Sequence, residues 1–274
     1  MMSFASRRLR SVAVTIAVLA GVVLWTDWQT SVLKNPAFET GYLLFAALVF
    51  LTAYNLRKKM PVPLWISSAG WLQTHLYVGI GTAVVFGLHI GWRIPNGILE
   101  TTLALLYLAT FASGLLGLYW TRTLPRRLAR ATEEVIYERI PLLRNRLREQ
   151  AESAVLATVR SAGVTTLGEF YSNRLKAYFE NSRGLRYFLR PNSRLRKSML
   201  AELTEVSRYL SEPERETSEQ LFSLIRRRDD LDFHAALQWR LKMWLFVHIG
   251  LAYPLIIIAA LHGLLAHLFD GGAL

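Results

Sequence analysis

Residues 71–92 read WLQTHLYVGIGTAVVFGLHIGW, an almost charge-free run with a tryptophan at each end and two histidines, His75 and His89, inside it. A helix needs roughly 20 apolar residues to cross the hydrocarbon core of a bilayer. Terminal tryptophans suit the interfacial belt. The stretch reads as a membrane span, and the chain divides around it. Residues 11–25, 38–54, 98–120 and 243–269 form four more apolar runs. Of the 274 residues 52% are hydrophobic, and 32 Lys+Arg stand against 20 Asp+Glu for a net charge of +12. That balance excludes a disordered chain and is too apolar for an ordinary soluble domain.

The charges are concentrated. Between Thr121 and Arg240 lie 23 of the basic and 16 of the acidic residues, a net +7. The expected fold is all-α: an integral membrane bundle of five spans with a mostly helical cytoplasmic insert. Residues 1–120 hold spans one to four, 121–240 the insert, and 241–274 the fifth span and an outer tail. Basic residues set the orientation. Arg7, Arg8 and Arg10 precede span one, Arg57, Lys58 and Lys59 follow span two, and Arg122, Arg126, Arg127 and Arg130 follow span four. The positive-inside rule then puts the N-terminus and residues 121–240 on the cytoplasmic side, as in a multi-pass protein of a bacterial inner membrane. Span one reads as an uncleaved signal anchor, since no small-residue cleavage pattern follows it.

Apolar spacings of three and four predict insert helices over 128–137, 142–159, 167–179, 198–210 and 214–229. Glu149/Arg146 and Glu202/Lys197 read as solvated faces. No phosphate loop, nucleotide fingerprint or paired catalytic carboxylates are present. The basic excess favours anionic lipid headgroups or an acidic partner subunit. Nucleic acid is not expected, because acids are interspersed and no binding module occurs. With no cysteine, disulfides, thiolate zinc, cysteine-ligated iron–sulfur clusters and covalently attached haem are excluded within the chain.

The histidines carry the chemistry. His75 and His89 lie 14 residues apart on span three, and His248 and His262 lie 14 apart on span five. Fourteen residues advance a helix to within about 40° of four full turns, so each pair shares a helix face, roughly 21 Å apart along the axis. Both spans run from cytoplasm to outside. His75 is then level with His248, and His89 with His262. Two parallel helices presenting level imidazoles can ligate two planar haems, one above the other. The glycines of span three and Gly250 and Gly263 of span five leave room for a macrocycle. Arg93 beyond His89 and Arg240 before His248 are candidate partners for haem propionates. The alternative is that these histidines bond between helices, although intramembrane polar residues are costly and usually functional. His267 lies on another face and is a poorer ligand. His234 reads as a surface or interfacial histidine.

These residues resemble the haem-carrying helices of respiratory cytochrome b and the membrane domain of the ferric-reductase and NADPH-oxidase group. The resemblance covers spans three to five, about 80 residues. It implies two b haems with iron held by His75 with His248 and by His89 with His262. It further implies transmembrane electron transfer as a subunit of a quinone-linked respiratory complex, with other redox subunits as partners. The sequence departs from both groups. The insert is foreign to cytochrome b, whose proline–glutamate quinol motif is missing, and no flavin domain or sixth span of the reductase kind is found. Catalytic residues are not assigned. Glu100 with Asn96 and Arg93 outside, or Gln73, Tyr77 and Asp232 inside, are candidates for a quinone site. A non-redox membrane scaffold anchoring a cytoplasmic adaptor is the alternative, and a transporter with histidines in a proton path is the third.

Overall fold

The computed structural model describes residues 4–57, 68–131, 135–163 and 166–270. Lys58 and Lys59, part of the orientation argument, lie outside the described residues. The described structure is all helical and forms two compact units, one of Met1–Leu116 with Leu245–Leu274 and one of Gly117–Trp244.

The first unit contains α1 (Phe4–Ser31), α2 (Ala37–Arg57), α3 (Ser68–His89), the start of α4 (Ile98–Ala131) and the end of α10 (Glu212–Asp270). Each of these five helices has a stretch long and apolar enough to cross a membrane. Only 6–22% of each apolar window is buried within the chain. The outward apolar side chains, such as Val18, Phe246 and Ile257, therefore need an apolar surrounding. α3 packs against α1 and α2. Inside, Leu44, Leu48, Val85, Tyr107 and Leu255 form a small core drawn from four helices. Tyr107 gives its hydroxyl hydrogen to Thr82 Oγ1 at 3.1 Å and stacks on Phe86 with ring centroids 4.1 Å apart.

The end of α3 decides where His89 sits. The Gly91 N–H bonds Leu88 O (3.1 Å) and the Trp92 N–H bonds Gly87 O (3.0 Å). This is the Schellman pattern, with Gly91 in the left-handed region at φ 59°. Trp92 follows at φ 57° and folds back over Gly87, where a Cβ would lie 2.7 Å from its ring. His89 is thus the last regular residue of the helix, locked by the cap beyond it.

The second unit contains α5 (Ile140–Ala162), α6 (Thr166–Phe170), α7 (Lys176–Glu180), α8 (Leu185–Leu189), α9 (Arg194–Val206) and the start of α10. A π-helical stretch, Tyr171–Leu175, joins α6 to α7. Leu147, Ala151 and Val155 recur every four residues on α5 and meet Leu167, Leu175, Leu203, Leu221 and Ile225 in one core. The helix expected over 128–137 does not form as such. α4 runs on to Ala131, and a short 3-10 turn occupies Tyr137–Arg139; residues 132–134 lie outside the described set. Pro141 explains the new start, since it sits in the first turn of α5 where its missing N–H costs nothing. Glu202 takes Arg174 in a two-point ion pair at 2.8 Å on each oxygen rather than Lys197.

At the start of α10, Glu214 reaches back to Ser211. Glu214 Oε2 accepts from the Ser211 N–H (3.0 Å) and hydroxyl (2.8 Å), and Oε1 accepts from the buried Leu167 N–H at 3.1 Å. One carboxylate therefore ties the helix start to α6. Glu214→Ala should cost about 1–3 kcal/mol by leaving a buried N–H unpaired, read as a lower denaturant midpoint for this unit. A shift below about 0.5 kcal/mol would show that the tie contributes little.

The same unit buries an Arg–Asp network. Arg228 is wholly buried and Asp232 is 2% exposed. Asp232 pairs with Arg228, with Arg183 at 2.7 Å and with Arg144 at 3.5 Å. Asp229 pairs with Arg183 (3.1 Å) and Arg196 (3.4 Å). Arg183 also lies over the Tyr178 and Tyr187 rings. Burial pushes the Tyr178 phenol well above its ordinary pKa, with Arg183 opposing, so it stays a neutral donor to Ile225 O (3.1 Å). His234, expected at a surface, is 2% exposed. Its position on α10 falls between Leu231 and Ala235, both core residues, so the helix turns it inward.

Candidate functional site

Four histidines on the long apolar helices stand in two facing pairs, His75 with His248 and His89 with His262. The ring centroids of His75 and His248 are 6.5 Å apart, and those of His89 and His262 are 6.3 Å apart. Neither spacing permits a direct hydrogen bond between ring nitrogens pointing at each other. It does suit a metal between them. Two imidazoles bound to one ion at about 2.0 Å each, on opposite sides, hold their ring centroids about 6.3 Å apart.

The rings are held by groups on neighbouring helices. His89 Nδ1 lies 3.0 Å from Ala37 O. A carbonyl can only accept, so Nδ1 carries the proton and Nε2 the lone pair, as a metal ligand requires. Thr40 Oγ1, fully buried, lies 3.4 Å from the same nitrogen. Gly41 completes the seat, since a Cβ there would stand 3.0 Å from His89 Cε1. On the other level, His248 Nδ1 lies 2.7 Å from Ser113 Oγ. That hydroxyl donates its single hydrogen to Thr110 O at 2.7 Å, so it accepts from His248 and fixes the same tautomer. Tyr54 lies beside His75, centroids 5.3 Å apart.

Span two and the middle of span four thus contribute ring-orienting groups that sequence reasoning missed. Ala37 contributes a backbone atom, which leaves no trace in the sequence. Ser113 and Thr40 do leave one, as hydroxyls within apolar runs, but only the fold says which histidine each serves.

A cavity of about 680 Å³ opens beside His89 and His262, walled by Phe86 and Tyr107 and edged by Arg93 and Glu100. This is within the range of small-molecule sites. Arg93, a candidate propionate partner, does border it. Arg240 is otherwise engaged. Its Nε donates to Phe188 O at 2.9 Å and its Nη2 to Leu189 O, which commits it within the second unit. His267 also borders the cavity, hydrogen-bonded to Tyr42 and to Gly263 O (2.7 Å).

Of the quinone candidates, Asp232 is withdrawn, because it is buried among arginines in the second unit. Gln73 donates to Ser11 Oγ at 3.1 Å. Glu100 remains at the cavity edge. Comparison with protein families, curated proteins and solved structures finds no match for this chain.

Proposed function

We propose that the chain is a multi-pass membrane cytochrome that ligates two b-type haems and conducts single electrons between them, as a subunit of a quinone-linked redox complex. The observation that carries this reading is the repeated spacing: two imidazole pairs, each 6.3–6.5 Å between centroids, 14 residues apart on each helix. Bound haem supplies the one-electron chemistry. The chain's own residues ligate, orient and insulate. His75, His89, His248 and His262 would hold the two haems through their imidazole nitrogens. Ala37 O and Ser113 Oγ aim two of them. Phe86, Tyr107 and Leu255 exclude water around the outer level. Arg93 is placed to meet a propionate, and Glu100 lies where a quinone headgroup would need a polar partner.

The chain has no cysteine, so its thiolate redox partners belong to other subunits. The test is a reduced-minus-oxidised absorption spectrum of the purified protein with haem quantified as the pyridine haemochrome. Two b-type haems per chain are expected. A folded, unstripped preparation without haem would end this reading and leave the membrane scaffold.

Ser113→Ala offers a finer check. Outer partners of a ligating histidine are typically worth 10–100-fold in metal affinity. The variant should release the haem of the His75/His248 level about 10–100-fold more readily to an apo-globin acceptor, while the other level is unchanged. Equal release from both levels would disconnect Ser113 from that site.

A further inference from the structure

α8 turns leucines away from its own unit. Leu185 is 62% and Leu189 61% exposed, and four residues apart they share one face of the helix. Leu195, at 44%, continues the apolar surface into α9. Arg186, Arg190 and Arg194 are exposed beside them. Clustered exposed leucines are costly in water, and a surface that couples them to cations has the make-up of a membrane-interface segment.

Two contacts tie α8 to α10. The Phe188 ring meets Trp239 edge-on with centroids 5.5 Å apart. Arg240 binds the carbonyls of Phe188 and Leu189, capping the end of α8. Trp239 and Arg240 precede Met243, the first residue of the fifth apolar run. At 1.5 Å per residue they lie about 4.5–6 Å of helix before the apolar run begins.

We propose that α8 and the first turn of α9 form a foot on the membrane surface. Leu185 and Leu189 enter the acyl boundary, and Arg186, Arg190 and Arg194 bind the phosphates of anionic lipids in the leaflet that the fifth span enters. The inference rests on the membrane reading of that span and not on haem.

The absence of cysteine makes the test direct. Leu189→Cys, Ser153→Cys and Leu261→Cys each place one thiol in the full-length chain for an environment-sensitive fluorophore. The labelled proteins go into vesicles of phosphatidylcholine with or without phosphatidylglycerol. A lipid-borne quencher is expected to reach Leu261 in both lipids, Ser153 in neither, and Leu189 more strongly when phosphatidylglycerol is present. Leu185→Cys repeats the measurement should the first variant fold poorly. Adding Arg186→Gln and Arg190→Gln should lower the ratio of inserted to solvated label about 25-fold, fivefold for each arginine. A water-like Leu189 label with a lipid-quenched Leu261 overturns the foot alone. A Leu189 label shielded from aqueous quencher but untouched by the lipid quencher also overturns it, in favour of a protein partner. A water-like Leu261 label overturns the foot and the membrane reading together.

Discussion

Replacing His89 with alanine should reduce the haem content of the purified protein from two per chain to one. The deletion removes one of the two imidazole nitrogens that would hold this haem, together with its anchor on Ala37 O at 3.0 Å, and leaves His262 without its ring neighbour. His262→Ala should remove the same haem, and the double variant should lose no more than either single one. That non-additivity is the signature of two groups acting as one site. His75→Ala and His248→Ala should instead remove the other haem, and a His75→Ala/His89→Ala protein should contain none. His267→Ala and His234→Ala serve as controls and should keep two. Loss of both haems from any one single variant, in protein that stays folded, would contradict two independent levels. Full retention in His89→Ala would contradict the pairing itself.

The largest effect on stability is expected at Asp232. Arg228 is wholly buried, and Asp232 is its charge partner, held in turn by Arg183 at 2.7 Å. Asp232→Asn keeps the shape and removes the charge, leaving three guanidinium groups facing one another around a neutral amide. Breaking a buried ion pair from one side typically costs about 3–5 kcal/mol, because the remaining charge is left without compensation. Arg228→Met should cost less, since Asp232 keeps Arg183 and Arg144 while the methionine fills the buried volume. Denaturant unfolding of the full chain in lipid, followed through the helical signal of the second unit, distinguishes the two. A loss of less than about 1 kcal/mol for Asp232→Asn would mean that water reaches the network and shares its charges.

Spans and histidine pairing were legible because they are written in local pattern. Hydropathy over about 20 residues marks a span, and 14 residues on a helix return a side chain to its starting face whatever else the chain does. That arithmetic puts His75 with His89, and His248 with His262, on one face of their helices, and the orientation of the spans matches them across helices. The supporting groups were not legible, since a hydrogen bond from His89 to Ala37 O or from His248 to Ser113 joins helices far apart in sequence. His234 shows the limit from the other side. It reads as a surface or interfacial residue, yet it is buried, and the nearby Asp229, Asp230 and Asp232 are paired by Arg144, Arg183 and Arg196. Composition reports charge, but the fold decides whether charge is solvated or spent on a partner. The helix expected over 128–137 failed for a related reason, because a periodic pattern cannot show that the chain leaves α4 and restarts at Ile140.

The two histidine levels differ in how mutation can reach them. The group that orients His89 is a backbone carbonyl, present whichever residue occupies position 37. The group that orients His248 is a serine hydroxyl, which one substitution deletes or replaces. One level is therefore insulated from sequence drift at its second contact, while the other can be retuned by a single change at position 113. A change at position 113 should therefore re-aim His248 and leave His89 in place.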